Sequence, residues 1–470
     1  MRRPVMVLAA VLALVATACG ASDDSGSDDS DEPTTTAVEA SEAVFGDMDE
    51  AVCGDGDFSV EPDQAGGSPD VLRIGVANDR SSDIRPGLNK DMWDSSVAFT
   101  EWCNEQGGIG GLPIELVDLD AALFNVEAAM TTACNGVFAL VGGGLAQDQL
   151  QFSGKAESDF HQCELVDIPG YANSPEKTDS NGQVQPVPNT GGAQATTWFS
   201  DFQELEPDAA ESWVVVWGDL PSLEAVKDKY EAGMESIGGT EVLESISYPP
   251  TGASDWVPYV QNMIDSGATS FTWIGESVFF TEFLETARQR GWDGTALLET
   301  NMYDPAVTAA AEASEGTLVR TAFHPLEEAD EWPAVADYLD LIDTYVDDGR
   351  TGALGMQSLS AWLLFATAAN ACGAENDGVL DRTCILEQAA EVEDWTGGGL
   401  HAPQDPSRFD EVEPAVCAML VEVQDGAFVR RYPELGGDGD DGDGFHCPEG
   451  AVAEVPGGSD AGEVDPDRPI

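Results

Sequence analysis

Positive charge is what this sequence has least of. Against 88 aspartates and glutamates stand only 19 lysines and arginines, a formal net charge of −69 over 470 residues. Such a surface repels polyanions. It excludes nucleic acid as a partner and electrostatic attachment to anionic lipid, because both depend on a basic patch. Histidine is almost as scarce: His161, His324, His401 and His446 are the four present, and none lies near another in sequence. No two cysteines form a C-x-x-C pair, so neither a zinc site nor a redox motif has its spacing, and no metal or cofactor is expected. The G-x-S-x-G elbow, the H-E-x-x-H helix and the phosphate loop with its lysine are all missing, and no catalytic residue is assigned. The run Asp438-Gly439-Asp440-Asp441-Gly442-Asp443-Gly444 has the acid density of a calcium loop. It lacks the closing bidentate glutamate, since Cys447-Pro448 intervenes before Glu449, and it reads as an acidic spacer.

What is present begins with export. Arg2 and Arg3 precede an apolar run from Val5 to Val15, well short of the roughly 20 residues that span a bilayer, so residues 1–18 read as a signal peptide. The residues Ala16-Thr17-Ala18-Cys19-Gly20 resemble the bacterial lipobox, which implies lipidation of Cys19 and a membrane attachment through lipid. Residues 19–45 are Ser, Asp, Glu, Thr and Ala with little to bury; they cannot offset their ordering entropy and read as a flexible tether. The other eight cysteines form an even set in an exported chain, the setting of structural disulfides. Short separations suggest Cys372–Cys384 and Cys417–Cys447. Cys103–Cys134 would link two early helices, leaving Cys53–Cys163 by elimination.

From Val71 onward, short apolar runs alternate with segments of helical period, the pattern of parallel sheets flanked by helices. Strands are expected at Val71–Val76, Pro113–Asp118, Val137–Val141 and Leu165–Ile168, with helices between them, one at Gln149–Phe160. A second series follows: Trp213–Trp217, apolar enough to be buried on both faces, a helix capped by Ser222, then strands near Glu241–Tyr248, Phe271–Ile274 and Thr295–Glu299. Further helices carry the faces Trp332–Val346 and Met356–Cys372, and Asp425-Gly426 marks a hairpin within Cys417–Tyr432. The tryptophans Trp93, Trp102, Trp213, Trp256, Trp273, Trp332 and Trp362 fall on faces that should pack in the core.

The stretch Asn104-Glu105-Gln106-Gly107-Gly108-Ile109-Gly110-Gly111-Leu112-Pro113-Ile114-Glu115-Leu116 ends a helix on glycines and turns into a strand. With the Ile74-Gly75 strand before it, the strand Val137–Gly142 after it and the late Trp395-Thr396-Gly397-Gly398-Gly399-Leu400, it resembles the branched-chain (Leu/Ile/Val) amino-acid-binding lipoproteins of ABC importers, over about Val71 to Pro433. The resemblance implies an α/β, type I periplasmic-binding fold: two open parallel-sheet lobes joined by a hinge of three crossings, here near Gln183–Gly192, Val319–Pro325 and Leu400–Pro414. On that pattern residues 46–187 form the N-terminal lobe and 188–320 the C-terminal lobe. Residues 321–400 return as helices to the first lobe, 401–447 place a terminal hairpin on the second, and 448–470 are a disordered tail.

Ligands of open α/β sheets sit beyond the carboxyl ends of the strands. The loops there nominate Asp83, Gly144, Leu145, Ala146, Tyr171, Ala172, Asp219, Glu276, Thr300 and Asn301. In the family, hydroxyls and amides from the third and fourth loops hold an amino acid's carboxylate and acidic groups of the second lobe hold its ammonium. This chain has Gly143-Gly144-Leu145-Ala146 and Tyr171-Ala172-Asn173 at those loops, with Tyr171 the sole hydroxyl, while Asp219 and Glu276 remain to meet a cation. The resemblance implies a monomeric, non-enzymatic, extracytoplasmic protein on the cell membrane that captures a small polar solute, such as an amino acid or amide, for an ABC permease. The alternative is a sensing lipoprotein of the same fold that signals to a membrane partner.

Overall fold

The apolar run ahead of the glycine-rich turn forms β1 (Leu72–Asn78), and the chain then builds α1 (Lys90–Glu105), β2 (Ile114–Asp120), α2 (Val126–Gly136), β3 (Ala139–Val141) and β4 (Asp167–Ile168). The computed structural model describes residues 44–310, 312–408, 411–458 and 464–468. The signal peptide, Cys19 and the tether up to residue 43 lie outside the described residues. Phe45, the last position of the expected tether, is buried and belongs to the folded body. The four strands make one parallel sheet in the order β2-β1-β3-β4.

Alternation along β1 decides which helix covers which face. Leu72, Ile74 and Val76 join the apolar cluster that contains Phe99 and Cys103 of α1, whereas Ala77 joins the one containing Met130 and Ala133 of α2. The turn between α1 and β2 works through close approach. Asn104 clamps it, donating to the Ile114 carbonyl at 2.9 Å and accepting from the Ile114 amide at 2.7 Å. Gly108 and Gly111 have positive φ of 88° and 86°, and a Cβ on Gly111 would lie 2.0 Å from the Gly56 carbonyl oxygen. Only glycine lets the segment around Gly56 lie across the turn.

That segment corrects the disulfide pairing. It brings Cys53 to Cys103 with Cα atoms 5.3 Å apart, and Cys134 meets Cys163 at 5.4 Å. The expected Cys103–Cys134 bond does not form because the sheet separates the two helices, and the expected Cys53–Cys163 bond falls with it. Cys372–Cys384 and Cys417–Cys447 form as their short spacing suggests. The expected helix Gln149–Phe160 is also corrected: most of it is turns, and only Asp159–Gln162 is helical. Around it the Asp148 carboxylate accepts from the Asn173 and Ser174 amides, and Gly154 packs on the Glu176-Lys177 backbone, contacts that fix a folded loop instead of a helix.

The chain then enters a second layer through β5 (Ala193–Ala195) and α3 (Thr197–Leu205). It continues as β6 (Ser212–Gly218), α4 (Pro221–Ile237), β7 (Glu241–Val242), β8 (Ile246–Tyr248), α5 (Val257–Ser266), β9 (Ser270–Ile274), α6 (Ser277–Gln289), β10 (Thr295–Leu298) and β11 (Leu318–Thr321). β6 is buried along its whole length: Trp213, Val215 and Trp217 face one cluster, and Val214 and Val216 face another. The helices α7 (Pro333–Tyr345) and α8 (Ala353–Glu375) return to pack on α1 of the first layer. The hairpin of β12 (Met419–Gln424) and β13 (Ala427–Tyr432) then rejoins the second, pairing antiparallel with β11. The eight-stranded sheet reads β13-β12-β11-β10-β9-β6-β7, with β8 also on β6. The chain thus passes between the two sheets three times. Of the seven tryptophans expected in the core, Trp93 and Trp332 are half-buried and the other five are buried.

The described parts of the tail, residues 448–458 and 464–468, are not the disordered segment their composition suggests. β14 (Val452–Glu454) pairs antiparallel with β5, with Ala453 and Val455 buried. Further on, Asn181 of the first layer donates to the Asp465 and Arg468 carbonyls, and the Arg468 guanidinium lies 5.1 Å from the Phe160 ring centroid. The Cys417–Cys447 bond anchors the start of this strap, so a few contacts suffice to order a segment that is poor in apolar residues. The acidic run ahead of it folds around its own backbone, with Asp440 accepting from the amides of Gly436, Gly442 and Gly444.

Non-reducing digestion and mass spectrometry should recover peptides joined through Cys53–Cys103 and Cys134–Cys163; a Cys103–Cys134 peptide would overturn this topology. Replacing Cys134 and Cys163 together by Ser should lower stability by about 3 kcal/mol in chemical denaturation.

Candidate functional site

The carboxyl ends of the two sheets face one another, and between them lies a cavity of 360 Å³. Loops after β1 and β4 form one wall, loops after β9 and β10 the other, and the crossing segments that carry Val187–Asn189, Arg320–Phe323 and Pro414–Ala415 form its floor. Small-molecule sites occupy roughly 300–1,000 Å³, so this one is at the small end.

Of the residues nominated from sequence, Ala146, Tyr171, Ala172, Glu276, Thr300 and Asn301 line this cavity. Asp83, Gly144, Leu145 and Asp219 do not. Asp83 and Asp219 are exposed on the outer side of their loops, where the Asp219 amide donates to the Tyr248 carbonyl at 2.9 Å. Leu145 packs into the core beneath α2. Gly144 acts by being small: a Cβ there would lie 2.7 Å from the Tyr171 ring, so the glycine makes room for that ring. Asn89, at the start of α1, fixes the arrangement by donating to the Tyr171 hydroxyl at 2.7 Å and to the Gly144 carbonyl at 3.3 Å. On the facing wall Gly275 has φ of 147°, and a Cβ would stand 1.8 Å from the Tyr248 hydroxyl. That position has to be glycine for β9 to turn into α6 over the cavity.

Sequence reasoning missed the basic residues. Arg85, Lys229, Arg320 and Arg350 all line the cavity, four of the 19 basic residues in the chain. In so acidic a protein, scarce positive charge inside the strand-end loops and crossings was a usable signal.

Two of these cations bridge the walls. Arg85 Nη1 meets Glu276 Oε1 at 2.9 Å, and its Nε and Nη2 donate to the Pro250 carbonyl at 3.1 and 2.7 Å. Arg350 donates to the Gly87 carbonyl at 3.1 Å on its own side and pairs with Asp304 across the gap. Ser222, expected to cap α4, instead donates across the gap to the Ala146 carbonyl at 2.8 Å; Pro221 takes the first helical position, which needs no amide donor. Burial raises the Glu276 carboxyl above its ordinary range, against the pull of Arg85 and Arg350. Burial likewise pushes Asp91 up to about 6 although Arg350 is near.

At the floor, Arg320 pairs with Glu299 at 2.6 Å and donates to the Ala415 carbonyl at 3.2 Å. Beside it Lys229, buried in α4, donates to Asn189 Oδ1 and the Thr190 carbonyl. Burial lowers its amine to about 8, with Asp179 and Glu299 opposing the shift.

Removing one member of a buried pair leaves the other charge uncompensated, at a cost of about 3–5 kcal/mol. Arg85→Met and Glu276→Gln should therefore each shift the chain toward an opened form, read as a larger radius of gyration in small-angle X-ray scattering. Scattering curves identical to the parent's in both variants would remove the bridging role.

No curated protein sequence matches the chain. Among solved structures, a leucine-binding protein from Thermotoga maritima superposes with a TM-score of 0.62 at 16% identity, covering 77% of this chain and 98% of its own. A fatty-acid ABC-transporter substrate-binding protein from Thermomonospora curvata gives 0.63 at 16%, covering 82% and 96%. An ABC-transporter solute-binding protein from Rhodopseudomonas palustris, in complex with 4-hydroxybenzoate, gives 0.62 at 17%, covering 77% and 96%. These likenesses show the type I periplasmic-binding fold. The family model described as "Periplasmic binding protein" matches residues 71–427, from the first core strand to the terminal hairpin, and the chain belongs to the periplasmic binding protein family.

Proposed function

We propose that this chain is an extracytoplasmic, lipid-anchored solute-binding protein that encloses one small polar solute between its two sheets and delivers it to an ABC permease. The observation that carries the reading is the cavity itself: concave, of small-molecule size, placed at facing strand ends, and spanned by the Arg85–Glu276 and Arg350–Asp304 pairs that would close over an occupant. Only a few crossing residues need change their backbone angles to open it. Ala146, Tyr171, Ala172, Glu276, Thr300 and Asn301, with Asn89 and the floor residues Lys229 and Arg320, are the proposed contacts. The reading assigns no reaction to the chain. The structural neighbours named for leucine, fatty acid and 4-hydroxybenzoate support a small organic solute, and the lipobox-like Ala16–Gly20 supports attachment through Cys19.

A ligand that binds only the folded chain raises its melting temperature by mass action, by about 2.7 kcal/mol of stability at a hundredfold excess over Kd. A thermal-shift screen of amino acids, amides, polyamines and short-chain acids should give at least one concentration-dependent increase; no shift with any compound would count against solute binding. Separately, Cys19→Ala should move the protein from the membrane fraction to the soluble fraction of expressing cells. Retention on the membrane would exclude lipidation at Cys19 as the anchor.

A further inference from the structure

The four cations of the cavity are not equivalent. Arg85, Arg320 and Arg350 each face a carboxylate, from Glu276, Glu299 and Asp304 respectively. Lys229 has no such partner among the described residues. Its Nζ reaches two neutral oxygens, Asn189 Oδ1 and the Thr190 carbonyl, which leaves one of three N–H donors free. Asp179 and Glu299 act on it only from beyond ion-pairing distance. A buried ammonium with no counter-charge in contact is costly, and a solute that placed a negative charge there would recover part of that cost on binding.

The acidic groups of the cavity offer no matching vacancy for a cation. Glu276, Glu299 and Asp304 are held by arginines, and Asp91 accepts from the Gly355 amide with Arg350 nearby. The surface running up from Lys229 is apolar. Leu223, Val226 and Tyr230 of the same helix line the cavity, with Val187 on the crossing segment. No serine or threonine hydroxyl of the third- and fourth-strand loops lines the cavity, Ser174 being turned to the Lys177 amide, so an amino acid's carboxylate would lack its family partners there.

Resting on the solute-binding reading, we propose that the solute is an organic carboxylate with an apolar body, its anionic end on Lys229 Nζ at the floor and its body along Leu223, Val226 and Tyr230. The anion thus binds on the second sheet's side, beside the crossing segments, on the lysine that already ties α4 to Asn189 and Thr190 of the first crossing.

The test uses matched acids and amides on the intact chain: benzoate against benzamide, 4-methylpentanoate against its amide, and octanoate against octanamide, by thermal shift and then calorimetry. At least one acid should bind at least about tenfold more tightly than its amide, the worth of one charge-assisted hydrogen bond. Lys229→Met should abolish that preference while the unliganded protein still melts in one cooperative transition, and Lys229→Arg should retain part of it. An amide that binds as well as its acid, or full acid affinity in Lys229→Met, would overturn the proposal. Should the methionine variant not fold, Lys229→Gln and the acid–amide contrast on the parent decide between the same two outcomes. Hits confined to neutral or cationic solutes would sink the carboxylate assignment and leave solute binding intact, whereas no hit in these pairs or in the wider screen would take both down.

Discussion

A buried guanidinium must find acceptors, and the placement of Arg85 shows how much follows from meeting that need. Its side chain is 3% exposed, and every acceptor it has, Glu276 and the Pro250 carbonyl, belongs to the opposite wall. The two sheets are therefore held edge to edge by a contact that neither could satisfy alone. Water entering an opened gap can replace these acceptors, so the bridge favours closure without making it irreversible. Arg350 repeats the arrangement with Gly87 on one side and Asp304 on the other. Both arginines sit at loops that end secondary structure, where a hinge motion moves them as rigid attachments of their own sheet.

The net charge of −69 gives these few cations unusual weight. Across the exposed surface, like charges repel and salt screens them within about 10 Å at 0.1 M. Inside the cavity neither water nor salt has the same access, and each charge is decided by its immediate neighbours. Three arginines are neutralised by carboxylates of this chain, and what remains is one lysine facing neutral oxygens. For the anionic solute proposed above, the strongly negative exterior repels at long range and the positive group of the floor attracts at short range.

The alternation of strands and helices was legible because burial on both faces of a parallel sheet demands continuous apolar runs, and Trp213–Trp217 or Val137–Val141 can hardly be anything else. Half of the cavity wall was legible for a related reason: Tyr171, Glu276 and Thr300 fall where strands end, and strand ends are where open sheets bind. Three things were not. Cysteine pairing depends on which face of the sheet each helix covers, and sequence separation is blind to that; Cys103 and Cys134 lie near in the chain and on opposite faces. The strap at Val452–Glu454 is ordered by a disulfide and a partner strand far away in sequence, so its own composition misleads. The charged floor combines residues from α4, from the end of β10 and from all three crossings, and no local pattern announces such a convergence.

The loop after β3 shows how much one residue without a side chain can decide. Gly144 leaves space that is taken by the Tyr171 ring from the next loop, steadied by Asn89. One flat, half-buried aromatic thus fills that corner of the first wall, whose cations, Arg85 and Arg350, are each committed to a carboxylate of the opposite wall. A wall whose positive groups are already paired offers packing to an apolar or planar body and no free charge to an anion. On the proposed reading the anionic end of the solute is served on the other side, at Lys229. The glycine in one loop and the lysine in a helix more than eighty residues later then have complementary parts, the one making room for an aromatic ring and the other supplying the positive group.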